Sequence, residues 1–122
     1  MKILIILWTI FSYGSFSYQK EDIIKTIDIE TFKSAVIGKD VQLIDIRTPR
    51  EYKAGFIDDA ININSYDAQQ FSIAFQKLDK EKPIYIYCYS GGRSNRASKK
   101  LAAMGFKKIF DFKGGYKAWS NQ

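Results

Sequence analysis

In the run Cys88-Tyr89-Ser90-Gly91-Gly92-Arg93-Ser94, four residues separate a soft nucleophile, Cys88, from a permanent cation, Arg93. Two adjacent glycines allow the backbone to curl until successive N–H groups point inward. Such a nest binds an anion, whether a thiolate, a persulfide or an oxyanion. A helix beginning just after the run adds unpaired N–H groups and a partial positive charge. Arg93 adds a planar fork that suits oxyanions. Each of these terms favours a thiolate over a thiol at Cys88, so the nucleophile needs no histidine base. The chain has no histidine, and Cys88 is its one cysteine. That composition excludes a Ser-His-Asp triad, a Cys-His pair, a zinc site, a haem ligand and an intramolecular disulfide. No metal and no cofactor is expected. The residues alone leave a second reading open, an inert cysteine buried at a strand end.

The elements around the run give it a position. Pro83–Tyr87 (PIYIY) reads as a strand delivering Cys88 directly. A helix is predicted from about Ser94 to Met104, burying Ala97, Leu101 and Met104, with Gly105 as its cap. In open parallel sheets, ligands bind beyond the carboxyl ends of strands, which is where the run falls. Further strands are predicted at Ile24–Ile27, Val41–Ile46 (VQLIDI), Ala60–Ile63 and Ile109–Phe112. Between them Asp28 caps a helix bearing Phe32, Ala35 and Val36 that stops at Gly38. Thr48-Pro49-Arg50-Glu51 is a capping box with proline at the first helical position, and that helix ends by Gly55. Asp67 with Gln70 opens a helix to Leu78, with Phe71, Phe75 and Leu78 on one face. Gly114-Gly115 turns into a short terminal helix carrying Trp119. Alternating strands and helices predict an α/β domain with a mostly parallel sheet.

Asp45 and Arg47 end a strand on the same side as the cysteine run, so either could line the pocket. The expected arrangement is structural, with Arg47 paired to Glu51 as a brace between loops. Tyr89 and Ser90 are placed to shape the mouth of the site.

The 122 residues suit a single domain, and 46% hydrophobic residues suffice for a core. The 26% charged residues argue against a wholly membrane-bound chain. A net charge of +6 favours anionic partners. The basic residues are scattered without a dense run, so the expected partner is a small anion at one site and not nucleic acid. Lys2, the apolar run Ile3–Phe11 and the small residues Ser12, Gly14, Ser15 and Ser17 read as a secretory signal peptide. The run is shorter than the roughly 20 residues of a membrane span. The expected division is a signal over residues 1–17, cleaved near Gly14 or Ser17, and a domain over 18–122. The domain is then exported, periplasmic in a Gram-negative bacterium and otherwise secreted, and it meets a membrane only if the segment stays uncleaved.

The sequence resembles the rhodanese-like domains. Cys88-Tyr89-Ser90-Gly91-Gly92-Arg93-Ser94 is similar to the family's pattern of Cys, two residues, Gly, one residue, Arg, Ser. The segment from Leu43 to Tyr52 resembles its first signature, and Gly55-Phe56-Ile57 followed by Ala60-Ile61-Asn62-Ile63 its second. Met104-Gly105-Phe106 and Gly114 to Trp119 resemble its closing signature. The resemblance covers about residues 24–120. One departure is visible: Phe56 stands where the family usually has histidine.

The resemblance implies a three-layer domain with a five-stranded, mostly parallel sheet flanked by helices. It also implies sulfane-sulfur transfer through a persulfide on Cys88, in two half-reactions. Carried onto this chain, the loop N–H groups from Tyr89 to Ser94, Gly91 and Gly92 included, cradle the persulfide, and Arg93 holds an anionic donor such as thiosulfate. The acceptor is a thiol or cyanide, and the expected protein partner of an exported lone thiol is a reducing one. Related domains in phosphatases and arsenate reductases use a similar cradle for oxyanions. The phosphatase loops place five residues between Cys and Arg, and the four here favour sulfur. A persulfide carrier without turnover is the remaining alternative.

Overall fold

Local caps and buried faces set the elements. The computed structural model describes residues 23–122; the expected signal segment and its cleavage region lie outside the described residues. The strands are β1 (Ile24–Ile27), β2 (Gln42–Asp45), β3 (Ile61–Asn62), β4 (Ile84–Tyr87) and β5 (Ile109–Phe112). The helices are α1 (Ile29–Val36), α2 (Pro49–Ala54), α3 (Ala68–Gln76), α4 (Gly92–Ala103) and α5 (Gly115–Ser120). Asp28 accepts the amide of Thr31 and Asp67 that of Gln70, so both predicted acidic caps form. Thr48 and Glu51 complete a reciprocal capping box at α2. These side chains satisfy N–H groups that a helix start leaves without partners.

The strands form one parallel sheet in the order β1-β5-β4-β2-β3. Alternation along each strand divides the core between two faces. One face packs Ile44, Ile84, Ile86, Cys88 and Ile109 against Phe71 and Phe75 of α3 and Ala97 and Leu101 of α4. The other packs Leu43, Tyr87 and Phe112 against Phe32 and Val36 of α1, with Tyr116, Ala118 and Trp119 of α5 beside them. Phe32 stacks on Phe112 at 4.3 Å between ring centroids. The result is the expected three layers, helix on sheet on helix.

Several boundaries differ from expectation in an informative way. β2, β3 and β4 are each shorter than the apolar runs that suggested them, because ladder pairing ends before the apolar character does. More important for the site, α4 begins at Gly92 and not near Ser94. Gly91, with φ at 100°, takes the left-handed conformation and serves as its N-cap without any side-chain hydrogen bond. The cysteine run is therefore a very short loop that becomes helix within four residues of Cys88.

Candidate active site

Cys88 follows the last residue of β4, on the α4 side of the sheet, and is 1% exposed. Its sulfur accepts the Gly91 amide at 3.1 Å and the Ser94 amide at 3.4 Å, and the Ser94 hydroxyl lies 3.5 Å away. The sulfur thus sits at the centre of a nest whose donors come from the loop and the first turn of α4. Only a glycine fits Gly91 here: a Cβ would lie 2.8 Å from the Lys113 carbonyl, on a backbone with positive φ. Gly92 opens the helix. Tyr89 and Ser90 are exposed on the outer rim, Tyr89 at 44%.

The loop is held from behind by α5. The amide of Tyr116 donates to the Cys88 carbonyl at 2.9 Å, and that of Lys117 to the Tyr89 carbonyl at 3.0 Å. Drawing these carbonyls away from the sulfur leaves the opposite edge of the loop, with its N–H groups, facing it. Gly115 makes the approach possible, since a Cβ there would stand 2.5 Å from both carbonyl oxygens. The sequence marks Gly114-Gly115 as a turn, which they form; the contact with the loop spans more than twenty residues and has no local signal.

The charged residues sort differently from the expectation. Arg47 does not pair with Glu51. Its guanidinium bonds Asp45, with Nη2 to Oδ2 at 2.6 Å, and Nη2 also donates to the Gly55 carbonyl at 2.7 Å. Asp45 is 0% and Arg47 2% exposed. Both point to the α1–α5 face, where Arg47 lies 4.1 Å over the Tyr116 ring. Burial disfavours the Arg47 charge, but Asp45 outweighs it and raises the Arg47 pKa. The pair does not line the cysteine pocket; it fixes the segment between α2 and β3. The physical reason is a local turn after β2: Asp45 Oδ1 also accepts the Arg47 amide at 2.9 Å, which folds residue 47 back over residue 45.

Glu51 instead meets Arg93. Both terminal nitrogens of Arg93 bond the carboxylate, at 2.7 and 2.9 Å. The pair is bidentate, the strong form of such contacts. Arg93 holds the Glu51 pKa down at about 2, assisted by the Thr48 amide and hydroxyl. Arg93 also lies 5.3 Å over the exposed Tyr66 ring. The capping box of α2 is therefore tied across the site to the first turn of α4. Phe56, at the position of the family's usual histidine, is 44% exposed and stacks on Tyr52 with centroids 4.3 Å apart.

A sulfur held by backbone amides, a short glycine loop and a guanidinium two residues into the helix form one constellation. A family model for the rhodanese-like domain matches residues 28–122. The chain belongs to the rhodanese-like family. This rhodanese-like domain is 35% identical to the Bacillus subtilis protein YqhL over 113 residues, covering 93% of this chain and 85% of that one. It is 32% identical to the thiosulfate sulfurtransferase GlpE of Coxiella burnetii over 81 residues, covering 66% and 73% of the two chains. Among solved structures, a rhodanese-like domain protein from Staphylococcus aureus superimposes with a TM-score of 0.68 at 29% identity, covering 78% of this chain and 90% of that one. The five-stranded parallel sheet flanked by helices is the fold that the resemblance implies. Among the described residues, no helix is long and apolar enough to cross a membrane.

Proposed function

We propose that this protein is a sulfurtransferase that carries sulfane sulfur on Cys88. The observation that carries the reading is the sulfur itself, seated on the amides of Gly91 and Ser94. Backbone donors fixed by the fold stabilise an anion there without reorganising, so the reacting form is the thiolate. The thiolate attacks the outer sulfur of a small donor such as thiosulfate. A new S–S bond forms, the donor's own S–S bond breaks, and sulfite leaves with the electron pair. A thiol or cyanide then attacks the outer sulfur of the persulfide, forming a new persulfide or thiocyanate and returning Cys88 as thiolate. This is covalent catalysis in two half-reactions.

The loop amides from Tyr89 to Ser94 cradle the persulfide. The positive charge of Arg93 favours an anionic donor and a departing sulfite, while its bond to Glu51 keeps the first turn of α4 in place. Since Cys88 is 1% exposed, the donor is small and presents its sulfur at its tip. Tyr89 and Ser90 at the rim select for that shape. The short loop favours sulfur over the larger phosphate or arsenate.

The test is direct. The protein is incubated with thiosulfate and weighed by mass spectrometry, expecting a gain of one sulfur atom that is absent in Cys88→Ala. Cyanide is then added and thiocyanate followed. A gain without turnover points to a dedicated carrier, and phosphatase or arsenate-reducing activity without any gain refutes the sulfur reading.

A further inference from the structure

Beside the cysteine nest, the segment after β3 and the outer face of α4 enclose a cleft of about 80 Å³. Arg93, Arg96 and Lys100 line it together with Ser65 and Tyr66, and buried Phe71 forms its floor. No carboxylate is among the lining residues. The three cations fall at i, i+3 and i+7, so they share one stripe of the helix. Arg93 lies 5.3 Å over the Tyr66 ring, and the Lys100 ammonium lies 5.7 Å from the centroid of the Phe71 ring. Arg96 turns back toward the loop, with Nη1 4.0 Å from where a Cβ on Gly92 would stand. That backward lean is the usual direction of a long helical side chain. It brings a second guanidinium to the turn that seats the Cys88 sulfur.

This placement works against the helix. Positive charge in the opening turns opposes the helix dipole, and α4 has no acid in its first turn. Arg96 and Lys100 are also a like-charged pair at i, i+4, which is destabilising. Neighbouring acids are engaged elsewhere: Glu51 is bound by Arg93, and Asp67 caps α3 through the Gln70 amide. Among the described residues no ion pair involves Arg96 or Lys100. An anion in the cleft would offset these repulsions, and Ser65 and Tyr66 add hydroxyl donors to its lining. The cleft is several times larger than one ordered water needs, which admits one carboxylate, sulfonate or phosphate head.

We propose that this cleft is an anion subsite for the sulfur acceptor, holding the acidic end of a thiol whose sulfur reaches Cys88. The inference rests on the sulfurtransferase reading above and names its acceptor class. Ser94 lends its amide to the Cys88 sulfur. Arg96 and Lys100 stand farther along α4, by a rise of about 3 and 9 Å. A thiol with an anionic group at the far end of a short flexible chain spans that distance, and a donor as compact as thiosulfate does not. The two half-reactions then draw on different cations, Arg93 for the donor and Arg96 with Lys100 for the acceptor.

Mercaptohexanoate and mercaptohexanol share one chain and differ by one charge, so together they test the subsite. Persulfide is loaded on the protein from thiosulfate, and its transfer to each thiol is followed at rising thiol concentration. The wild type, Arg96→Gln and Lys100→Gln are compared; both substituted residues are exposed, and folding is checked by circular dichroism. Each substitution should raise the mercaptohexanoate concentration for half-maximal rate about three- to tenfold, the loss of one charged contact at a partly open site. Mercaptohexanol should be unaffected. Equal effects on the two thiols, or none on either, overturn the inference. Binding is read separately in Cys88→Ala, which transfers no sulfur. The unreactive thioether methylthiohexanoate is titrated while NMR follows the amides of Ser65, Tyr66 and Gly92. Saturating shifts that vanish on adding Arg96→Gln uphold the subsite even where thiosulfate gives no persulfide. Their absence overturns it even where sulfur transfer is normal. Displacement by inorganic phosphate at equal concentration marks a site for free anions and overturns the acceptor assignment.

Discussion

Gly115→Ala tests how the cysteine loop is held from behind. Gly115 has φ at 62°, and a Cβ there would stand 2.5 Å from the carbonyl oxygens of Cys88 and Tyr89. The left-handed conformation alone costs an alanine about 1–2 kcal/mol. The overlap cannot be relieved by a side chain swinging aside, because both atoms met are backbone. The loop must move by roughly half an ångström or more, weakening the amide bonds from Tyr116 and Lys117, each contributing about 1 kcal/mol. The sum is a destabilisation of about 3 kcal/mol, measurable by urea denaturation. The chemistry should suffer separately, since a displacement approaching 1 Å in a reacting site costs up to about 100-fold. The rate of persulfide formation from thiosulfate is therefore expected to fall about 10- to 100-fold under conditions where the variant is folded. Gly38→Ala is the control: its φ is 70° but nothing lies within 4 Å of the added Cβ. It should lose about 1–2 kcal/mol and keep its rate. A Gly115→Ala protein with wild-type stability and rate would refute the account of the brace.

Arg47→Leu leaves Asp45 as an unpaired buried charge and should cost about 3–5 kcal/mol by urea denaturation; a loss below 1 kcal/mol would show that the pair is unimportant to the α2–β3 segment. Glu51→Gln should lower stability by only about 1 kcal/mol, because the Glu51 side chain is 33% exposed and solvent screens the pair. Its carboxyl sits at about 2 in the fold against an ordinary 4.5, so the stabilisation is complete above about pH 4.5 and fades as pH falls toward 2. Acid titrations of the wild type should show that loss and the Gln variant should not; parallel curves count against the bridge. We propose that residues 1–17 are removed on export, which predicts a mature N-terminus just after Gly14 or Ser17; an intact Met1 in the processed protein contradicts it.

Short-range patterns were the readable part of this chain. All five strands, the acidic caps at Asp28 and Asp67 and the box at Thr48 depend on neighbours within a few residues, and each stands where its pattern placed it. The cysteine run was equally readable, because nest geometry is local to its two glycines. What stayed hidden depends on which way side chains turn in three dimensions. Arg47 and Glu51 are four residues apart, a helical neighbour's spacing, but Arg47 lies before α2, in a turn that folds it back onto Asp45. Glu51 then finds Arg93, 42 residues away. α4 starts two residues before the predicted Ser94 because Gly91 caps through its backbone alone, without the side-chain signal that marks α1, α2 and α3.

The sheet order β1-β5-β4-β2-β3 also constrains when the site can exist. β1 reaches the sheet only through β5, and the cysteine loop is steadied by amides of α5. During synthesis β1, the earliest of the described strands, therefore waits for β5, the latest of them. Cys88 emerges well before the residues that hold its loop in shape. A nascent or truncated chain ending before Tyr116 carries the thiol without its brace, so the seat of the Cys88 sulfur is completed by α5 and not by the loop that bears it.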